Sequence, residues 1–450
     1  MGDAQPTTVM HGLPPSFDVA IIGGGPVGCV AALLLARYGA RTLVLEANPH
    51  ACRRLAGEWL HPPAVRVLQH LGVEIDDYPS GNSVVEGFAV LPDDGDGPIV
   101  LRYPHGATGR GCEHSKLVMR LRAALADESS VAFLPSARVT QVAGQRLTFT
   151  HPGSAGEMSV AADLIVGAYG RARLADSQSQ AQEPRTVLSH MAGLVLEDVT
   201  LPFEGFGHVV LGGPGPMLLY RLDEHRVRLC VDVPHAAGRG HAGVRLLQHA
   251  YAAHLPTELR AAFHQALAER TPAWAANQYC PRLGYGRPGF ALIGDAVGHF
   301  HPLSASGLTL GFLDAECLAG SGSFAAYRRE RSKRSLVHAL LSTGLYDVLT
   351  AQDPGTVAMK RALYQLWRHN EIERVRTMQL LTGEDSGALH FSRSFLKVMK
   401  IAVQEAARDA VARRRWEQMA NTLLGFGHWL RWLAARSALR YSLGRTAFRS

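Results

Sequence analysis

The stretch that decides the fold is Phe17-Asp18-Val19-Ala20-Ile21-Ile22-Gly23-Gly24-Gly25-Pro26-Val27-Gly28, near the start of a 450-residue chain. Its first half is apolar and predicts a strand from Asp18 to Ile22. The glycines predict a tight turn, and the Ala- and Leu-rich run behind them predicts a helix from Val30 to Tyr38. Another apolar run predicts a strand from Thr42 to Leu45. A strand, a helix and a strand in this order indicate a parallel sheet.

The glycine turn has the spacing G-x-G-x-x-G at Gly23, Gly25 and Gly28. Gly23 permits the tight turn, Gly25 lets the backbone approach a pyrophosphate, and Gly28 lets helix and strand pack closely. The phosphates would lie at the positive end of the helix dipole. Glu46, at the end of the next strand, is placed to bind adenosine ribose hydroxyls and would repel a 2′-phosphate. The turn therefore predicts a dinucleotide site that disfavours NADP.

A second element, far along the chain, favours FAD over NAD. Residues 291–296 form an apolar run that ends in Gly294-Asp295, and residues 301–308 lead into a further helix. A carboxylate at a strand end suits the ribityl hydroxyls of FAD. Backbone N–H groups at the helix start suit a flavin ring, where negative charge develops on reduction. Both parts of the chain must then build one FAD-binding domain.

The predicted fold class is α/β: a Rossmann-like FAD-binding domain with a β-rich substrate domain and a C-terminal helical region. The FAD-binding domain is assigned to residues 17–184 and 286–325. The substrate domain is assigned to residues 185–285, where alternating apolar residues and Gly/Pro turns predict antiparallel strands. Residues 326–450 are predicted to be helical. This last region has 22 Lys and Arg against 10 Asp and Glu, so it carries +12, and the net charge of +7 leaves −5 for the rest.

The basic C-terminal region predicts an anionic partner, interpreted as a membrane surface rather than a nucleic acid. The cluster from Arg413 to Arg415 precedes an apolar stretch with interspersed arginines: Leu423, Leu424, Phe426, Trp429, Leu430, Trp432 and Leu433. Such a stretch suits the headgroup boundary. No apolar run reaches the ~20 residues that cross a bilayer, so peripheral attachment on the cytoplasmic side is predicted. Packing of this stretch on the protein body is the alternative.

The two flavin-type elements together resemble the flavin monooxygenases with a para-hydroxybenzoate-hydroxylase-like fold. Within that group the chain resembles the squalene monooxygenases, also called squalene epoxidases. The segments that carry this closer resemblance are SHMAGLVL (189–196), LPF (201–203), GHVVL (207–211), CVDVP (230–234), RLAGEWL (54–60), GLY (344–346) and LHF (389–391).

The resemblance implies which residues contact FAD. Pro26 and Val27 fall at the phosphate turn, Glu46 and Ala47 at the adenosine, Asp295 at the polyol chain and Leu308 near the isoalloxazine. The other residues assigned to the cofactor are Gly23, Gly25, Gly28, Gly294, Gly307, Arg54, Trp59 and Lys116, the last where the family carries an arginine.

The chain departs from the family pattern on the substrate side of the flavin. His61 stands where the family has glutamine, and Phe88 stands where it has tyrosine. Together with Tyr220 and Pro302, these two residues are predicted to line the substrate pocket. The departures leave open which hydrophobic alkene, prenyl lipid or polyketide lipid is the substrate.

Two further departures concern the flavin site itself. Tyr169-Gly170 replaces an Asp-Gly pair, and the glycine-rich flavin loop reads Ser304-Ala305-Ser306-Gly307. FAD binding remains the prediction in spite of both changes. They also keep a non-catalytic membrane flavoprotein open as an alternative function.

The resemblance implies a monooxygenase in which reduced flavin and O₂ give a flavin hydroperoxide that delivers one oxygen atom to an alkene. The protein then supplies position and a dry pocket, so no catalytic side chain and no metal ligand are predicted. No second dinucleotide-binding turn is assigned, so NAD(P)H bound transiently or a partner reductase is predicted to donate electrons. A flavin-dependent reductase of prenyl double bonds remains an alternative. A flavin halogenase is disfavoured because the WxWxIP motif is missing.

Overall fold

The computed structural model describes residues 14–50, 55, 57–75, 84–172, 174, 185–350, 352–413, 420, 423–427 and 429. Within these residues the strands are β1 (Ser16–Ile22), β2 (Thr42–Leu45), β3 (Trp59–Leu60), β4 (Val84–Val85), β5 (Gly87–Leu91), β6 (Ile99–Arg102), β7 (Gly109–Gly111), β8 (Val131–Leu134), β9 (Arg138–Ala143), β10 (Arg146–Thr150), β11 (Met158–Gly167), β12 (Thr186–Glu197), β13 (Phe206–Val210), β14 (Met217–Arg221), β15 (Arg226–Pro234), β16 (Ala273–Tyr279), β17 (Gly286–Arg287) and β18 (Phe290–Leu292). The helices are α1 (Pro26–Arg37), α2 (Pro62–His70), α3 (His114–Ala126), α4 (Gly240–Leu246), α5 (Thr257–Glu269), α6 (Gly307–Gly320), α7 (Phe324–Thr350), α8 (Pro354–His369), α9 (Glu371–Thr382) and α10 (Ala388–Arg413).

The predicted strand-turn-helix lies at the centre of an eight-stranded sheet. Its order is β17-β18-β11-β1-β2-β8, with β10 and β9 extending it from β11. β1 pairs in parallel with β2 and β11, and β18 pairs in parallel with β11. The carboxyl ends of parallel strands meet at one edge of a sheet, where α/β proteins bind ligands. The glycine turn after β1 and Gly294-Asp295 after β18 therefore share that edge.

Helix α1 begins at Pro26, four residues before the predicted start. Proline at the first helical position has its φ angle preset and lacks only an N–H that would be unbonded there, so it favours this earlier start. The side chains of Leu33, Leu34 and Leu35 are buried in the core between this helix and the sheet. Burial of each leucine contributes about 1.5–3 kcal/mol to stability.

A seven-stranded sheet stands beside the first, in the order β16-β12-β15-β14-β13-β5-β6. Its neighbours pair antiparallel except β13 and β5, which run parallel. Strands β5 and β6 come from residues 87–102, which the sequence analysis assigned to the FAD-binding part. One face of this sheet packs on α7, α8 and α9 through Leu340, Trp367 and Met378, one from each helix. The other face packs on α5 through Phe263.

The C-terminal helices pack on the protein body, which corrects part of the predicted membrane boundary. Phe426 and Trp429 are buried, and the Trp429 indole N–H donates to Thr356 Oγ1 at 3.1 Å. Packing on the body, the alternative in the sequence analysis, therefore applies to these two residues. The side chains of Arg413 to Arg415, together with Leu430, Trp432 and Leu433, lie outside the described residues. Among the helices that the structure describes, none is both long enough and apolar enough to cross a bilayer.

Candidate functional site

A cavity of about 820 Å³ opens at the carboxyl edge of the parallel sheet and extends to the seven-stranded sheet. Ile22, Leu45 and Ile293, at the ends of three parallel strands, form its base. Most of the residues assigned to the cofactor line it: Gly23, Gly25, Pro26, Val27, Glu46, Ala47, Trp59, Gly294, Asp295, Gly307 and Leu308. The structure thus brings together residues from positions 23 to 308 of the chain.

The glycine turn is shaped differently at each of its three positions. Gly23 has φ +109°, and a Cβ there would lie 2.6 Å from the Ala168 carbonyl oxygen. A Cβ on Gly28 would lie 1.9 Å from the Gly23 carbonyl oxygen, so Gly28 serves the close packing of α1. Gly25 has an ordinary φ of −79°, and no heavy atom lies within 4 Å of its Cβ position. Gly25 therefore faces free space in the cavity.

The first turn of α1 offers its backbone N–H groups to this space. Gly25 caps the helix without any side-chain hydrogen bond, and Pro26 occupies the first helical position. A helix N-terminus without a side-chain cap favours an anion through its N–H groups and its dipole. The absence of a side chain at Gly25 and this N-terminus fit a pyrophosphate.

Glu46 follows β2 directly and contacts the glycine turn through its carboxylate. One carboxylate oxygen accepts from the Gly24 N–H at 2.6 Å, and the other accepts from the Asn48 N–H at 2.7 Å. Arg122 lies 3.8 Å from the first oxygen and also donates to the Gly24 carbonyl oxygen at 3.1 Å. Glu46 therefore joins the turn to the strand end where an adenosine ribose would bind.

Asp295 follows β18 and is paired with a residue that the sequence analysis did not identify. Arg171 Nε donates to Asp295 Oδ2 at 2.9 Å, and both side chains are about one-third exposed. Arg171 stands directly after Tyr169-Gly170, where the chain departs from the family pattern. No local pattern in the sequence indicates this ion pair, because its members are 124 positions apart.

We expect Asp295→Asn to weaken FAD binding about 10- to 100-fold. A hydrogen bond to a charged group is worth about 1.5–3 kcal/mol, and each 1.4 kcal/mol is tenfold in affinity. Titration of the apoprotein with FAD, followed by flavin fluorescence, measures this dissociation constant. Glu197→Gln, which breaks an exposed ion pair with Arg270, serves as the control. An unchanged dissociation constant in Asp295→Asn would exclude Asp295 as a cofactor ligand.

The remaining predicted residues lie at different distances from the cavity. Tyr220 and Pro302 line it, whereas His61 and Phe88 are buried just behind Trp59 and Ser304. Phe88 stacks on Trp59 at a ring-centroid distance of 4.8 Å. Lys116 is half-buried on α3 and is not part of the cavity wall. Arg54 lies outside the described residues. Gly28 does not line the cavity, but it allows α1 to pack closely against the glycine turn.

His61 is held on both sides of its ring. Nδ1 lies 2.7 Å from the Tyr103 hydroxyl, and Nε2 lies 3.0 Å from the Ser304 carbonyl oxygen. Burial lowers the pKa of His61 to about 4, although the bond to Ser304 opposes this. His61 is therefore neutral at neutral pH and bonds to the flavin loop as a structural partner.

The wall opposite the glycine turn belongs to the seven-stranded sheet. Met191, Leu218 and Cys230 present apolar groups, and Tyr220 donates its hydroxyl to Glu58 at 3.0 Å. Arg228 makes two bonds of 2.8 Å to the buried Glu58 carboxylate. The Glu58 charge is thus compensated by Arg228. Sequence reasoning missed this pair because its members are 170 residues apart.

A second buried polar cluster closes the cavity next to the flavin loop. Asp232 Oδ1 accepts from Asn277 Nδ2 at 2.9 Å, lies 2.9 Å from His301 Nε2, and accepts from the Ser189 hydroxyl. The His301 ring stacks on Tyr346 at a ring-centroid distance of 3.8 Å. The cluster joins the seven-stranded sheet to the flavin loop and to α7.

Three buried cysteines are protonated thiols, and one of them, Cys230, lines the cavity. Burial raises the pKa of Cys29, Cys112 and Cys230 to about 12 in each case, so these thiols stay protonated. In the ranges that the structure describes, no group of three or more His, Cys, Asp or Glu is arranged to hold a metal ion. The residues present fit a dinucleotide with a planar ring system at the end of an apolar chamber.

Comparison with known families matches two parts of the chain. The squalene epoxidase family matches residues 156–412, and the FAD-dependent oxidoreductase family matches residues 18–83. Squalene epoxidase erg1 of Aspergillus fumigatus is 28% identical over 391 residues, which cover 78% of this chain and 79% of that protein. Squalene epoxidase 3 of Arabidopsis thaliana is 29% identical over 317 residues. That match covers 66% of this chain and 58% of the plant protein, so the chain spans somewhat more than half of this relative.

Solved structures share the architecture. The flavin-dependent brominase Bmp2 superposes with a TM-score of 0.67 at 15% identity, covering 88% of this chain and all of that one. A flavoprotein/dehydrogenase from Cytophaga hutchinsonii superposes with a TM-score of 0.67 at 16% identity, covering 86% and 99%. At these identities the likeness concerns the fold alone, and it confirms the predicted α/β class.

Proposed function

Because the chain belongs to the squalene epoxidase family and is an FAD-dependent monooxygenase, we propose that its substrate is an elongated, water-insoluble alkene. Squalene, or a lipid with a polyprenyl or polyketide chain, has this chemistry. Such a molecule has few polar groups that could be recognised, so shape and apolar contact must position it.

The observation that carries the proposal is the continuity of the cavity. It runs from the glycine turn at Gly25 to an apolar wall built by Met191, Leu218 and Cys230 of the seven-stranded sheet. The seven-stranded sheet lies on one side of this space and the flavin loop on the other. An alkene bound there would lie beside the ring system of the cofactor.

When bound, FAD supplies the activation of O₂ and the transfer of one oxygen atom. The residues of the chain bind, orient and shield. The Glu58 carboxylate, held by Arg228, fixes the hydroxyl of Tyr220 so that its ring faces the chamber. No unpaired charge of this pair then faces the alkene, which keeps the wall apolar.

The electron donor belongs to the same proposal. Gly23 and Gly25 of the glycine turn line the cavity proposed for FAD, and we assign no separate site to a nicotinamide. We therefore expect a nicotinamide bound transiently or a reductase partner to deliver electrons. Reduction of the bound flavin by each donor, followed by absorbance under anaerobic conditions, separates these two sources.

We expect the holoenzyme, reduced chemically and mixed with ¹⁸O₂, to add one ¹⁸O atom to squalene or to a polyprenyl lipid. Mass spectrometry of the extracted lipid measures the incorporation against a panel that includes small charged aromatic compounds. Asp295→Asn, which weakens cofactor binding, should lower product formation at limiting FAD and recover at excess FAD.

Two outcomes would contradict the proposal. A saturated prenyl product without ¹⁸O would identify a reductase of double bonds. Oxidation of only the small charged aromatics would show that the chamber does not select long apolar substrates.

A membrane surface remains the proposed site of attachment, on different residues from those first predicted. Leu389, Leu396 and Val411 of α10 are exposed by 61%, 59% and 68%. Arg393 and Lys400 are exposed on the same helix. Along the helix, consecutive members of this set are 4, 3, 4 and 11 positions apart, which places all five on one face. Leucines with cations between them suit the headgroup boundary of an anionic bilayer.

We expect the double variant Leu389→Gln/Leu396→Gln to lower flotation with anionic liposomes at least tenfold. Burial of one leucine contributes about 1.5–3 kcal/mol, so the loss of two should exceed the 1.4 kcal/mol of a tenfold change. Met119→Gln is the matched control, because Met119 on α3 is 63% exposed but lies on another surface. Equal flotation of all three proteins would show that this face of α10 does not bind the membrane.

A further inference from the structure

The flavin loop, residues 304–307, has a backbone conformation that its sequence does not favour. Ala305 has φ +50°, a left-handed conformation in which glycine is the common residue. An alanine held there costs about 1–2 kcal/mol. The loop reads Ser304-Ala305-Ser306-Gly307, with one glycine where the resemblance implies a glycine-rich loop. Interactions from outside the loop must therefore hold it in this conformation.

Those interactions come from α7. The Ser342 hydroxyl donates to Ser304 Oγ at 3.1 Å, and Ser304 Oγ lies 2.8 Å from Ser306 Oγ. Ser306 Oγ lies 2.6 Å from His338 Nε2. His338 and Ser342 are four residues apart and thus on one face of α7. All four side chains are buried, with His338 and Ser342 each only 1% exposed.

The bonds form a chain with one consistent direction. If Ser342 donates to Ser304, then Ser304 donates to Ser306, and Ser306 donates to His338 Nε2. This requires a neutral imidazole, and burial lowers the pKa of His338 to about 3. The His61 Nε2 atom, 3.0 Å from the Ser304 carbonyl oxygen, fixes the same loop from its other side. The loop is thus tied to α7 and to the start of α2.

The tied loop leads directly into α6 at the cavity. Ser306, Gly307 and Leu308 all line the cavity, so the first turn of α6 faces the place of the flavin ring. Helix N-termini stabilise negative charge, and their effect depends on a fixed position relative to that charge. A loop that moved by a fraction of an ångström would weaken this stabilisation.

We propose that His338 and Ser342 are positioning residues for the cofactor: through Ser306 and Ser304 they fix the flavin loop and thereby stabilise reduced FAD relative to oxidised FAD. Side-chain hydrogen bonds of Ser304 and Ser306 hold the conformation of this loop. A glycine-rich loop adopts such a conformation because its backbone is less restricted. The inference concerns the cofactor site and does not depend on the identity of the substrate.

The test measures the reduction potential and the FAD affinity of the holoprotein in a double-mutant cycle. In His338→Leu, we expect the ratio of dissociation constants of reduced to oxidised FAD to rise about tenfold, which lowers a two-electron potential by about 30 mV. Ser306→Gly should produce the same shift. Adding His338→Leu to Ser306→Gly should cause no further shift, because the two residues act as one unit. His338→Gln, which keeps an acceptor, should restore most of the potential.

Ser335→Ala is the matched control on the same helix. Ser335 is buried and accepts from Tyr285 at 2.7 Å, away from the flavin loop. It should lose stability without a change in potential. A native potential in His338→Leu, or additive shifts in the double variant, would overturn the proposal. If His338→Leu does not fold, Ser306→Gly and Ser342→Ala decide, and native potentials in both would likewise overturn it.

Discussion

Replacement of Asp314 by alanine is expected to lower the free energy of unfolding by about 3–5 kcal/mol. Asp314 on α6 is fully buried between Arg282 and Arg331, which are both about 2% exposed. Its Oδ1 accepts from Arg331 Nε at 2.7 Å, and its Oδ2 accepts from Arg282. Removal of the carboxylate leaves two buried guanidinium groups without their counter-charge, which is the costly part of breaking a buried pair.

The same substitution should also weaken FAD binding. Asp314 Oδ2 accepts from the Gly294 N–H at 2.9 Å, and Arg282 donates to the Gly294 carbonyl oxygen at 2.9 Å. These two bonds hold the backbone directly before Asp295. The buried charges thus fix the place of the predicted polyol ligand.

Denaturant unfolding of the apoprotein, followed by circular dichroism, measures the decrease in the free energy of unfolding of Asp314→Ala. Glu197→Ala is the control, because its ion pair with Arg270 is half-exposed and should contribute at most about 1 kcal/mol. Asp314→Asn should lie between the two, since the amide keeps the shape and one acceptor oxygen. A loss in Asp314→Ala no larger than in Glu197→Ala would refute the assigned role of this cluster.

Gly25→Val is expected to retain the fold and to lose at least 100-fold in FAD affinity. Gly25 has φ −79° and ψ −179°, an extended conformation that valine adopts without strain, and its Cβ position has no neighbour within 4 Å. The new side chain would instead fill the space where a pyrophosphate must approach the helix. A neighbouring substitution behaves differently: Gly28→Ala places a methyl group 1.9 Å from a carbonyl oxygen, so it should disrupt the turn itself.

Thermal unfolding of the apoprotein distinguishes a loss of FAD affinity alone from a loss of stability. Gly25→Val should unfold at the wild-type temperature, whereas Gly28→Ala should unfold at a lower one. Gly156→Val, in a surface turn with open space around its Cβ position, controls for valine substitution. Native FAD affinity in Gly25→Val would mean that the phosphates bind elsewhere.

The features that the sequence predicts are those that depend on residues close together in the chain. The strand, the glycine turn and the helix of residues 16–37 depend on neighbours within a few positions, and the structure has them with shifted ends. The resemblance and the FAD-dependent monooxygenase activity are confirmed by the family matches. The residues assigned to the cofactor on the two strand ends meet at one edge of the sheet, as expected for parallel strands.

Pairings across long stretches of chain could not be predicted in this way. Arg171 and Asp295 are 124 positions apart, and no local pattern indicates their ion pair. The same holds for His338 and Ser306 on α7 and the flavin loop. Trp429 lies in a stretch whose composition is typical of a membrane boundary. Apolar residues of this kind also pack in protein cores, and Trp429 is buried in this one.

The parallel pairing of β5 with β13 has a consequence for how the chain is made. Phe88 lies opposite Gly207, so the partner of this strand leaves the ribosome roughly ten seconds after it, at 5–20 residues per second. During that interval we expect the β5–β6 hairpin to expose the edge on which β13 later pairs, and unpaired strand edges of this kind promote aggregation. The yield of native protein should therefore depend on what shields this edge during translation, such as a chaperone or a slower, colder synthesis.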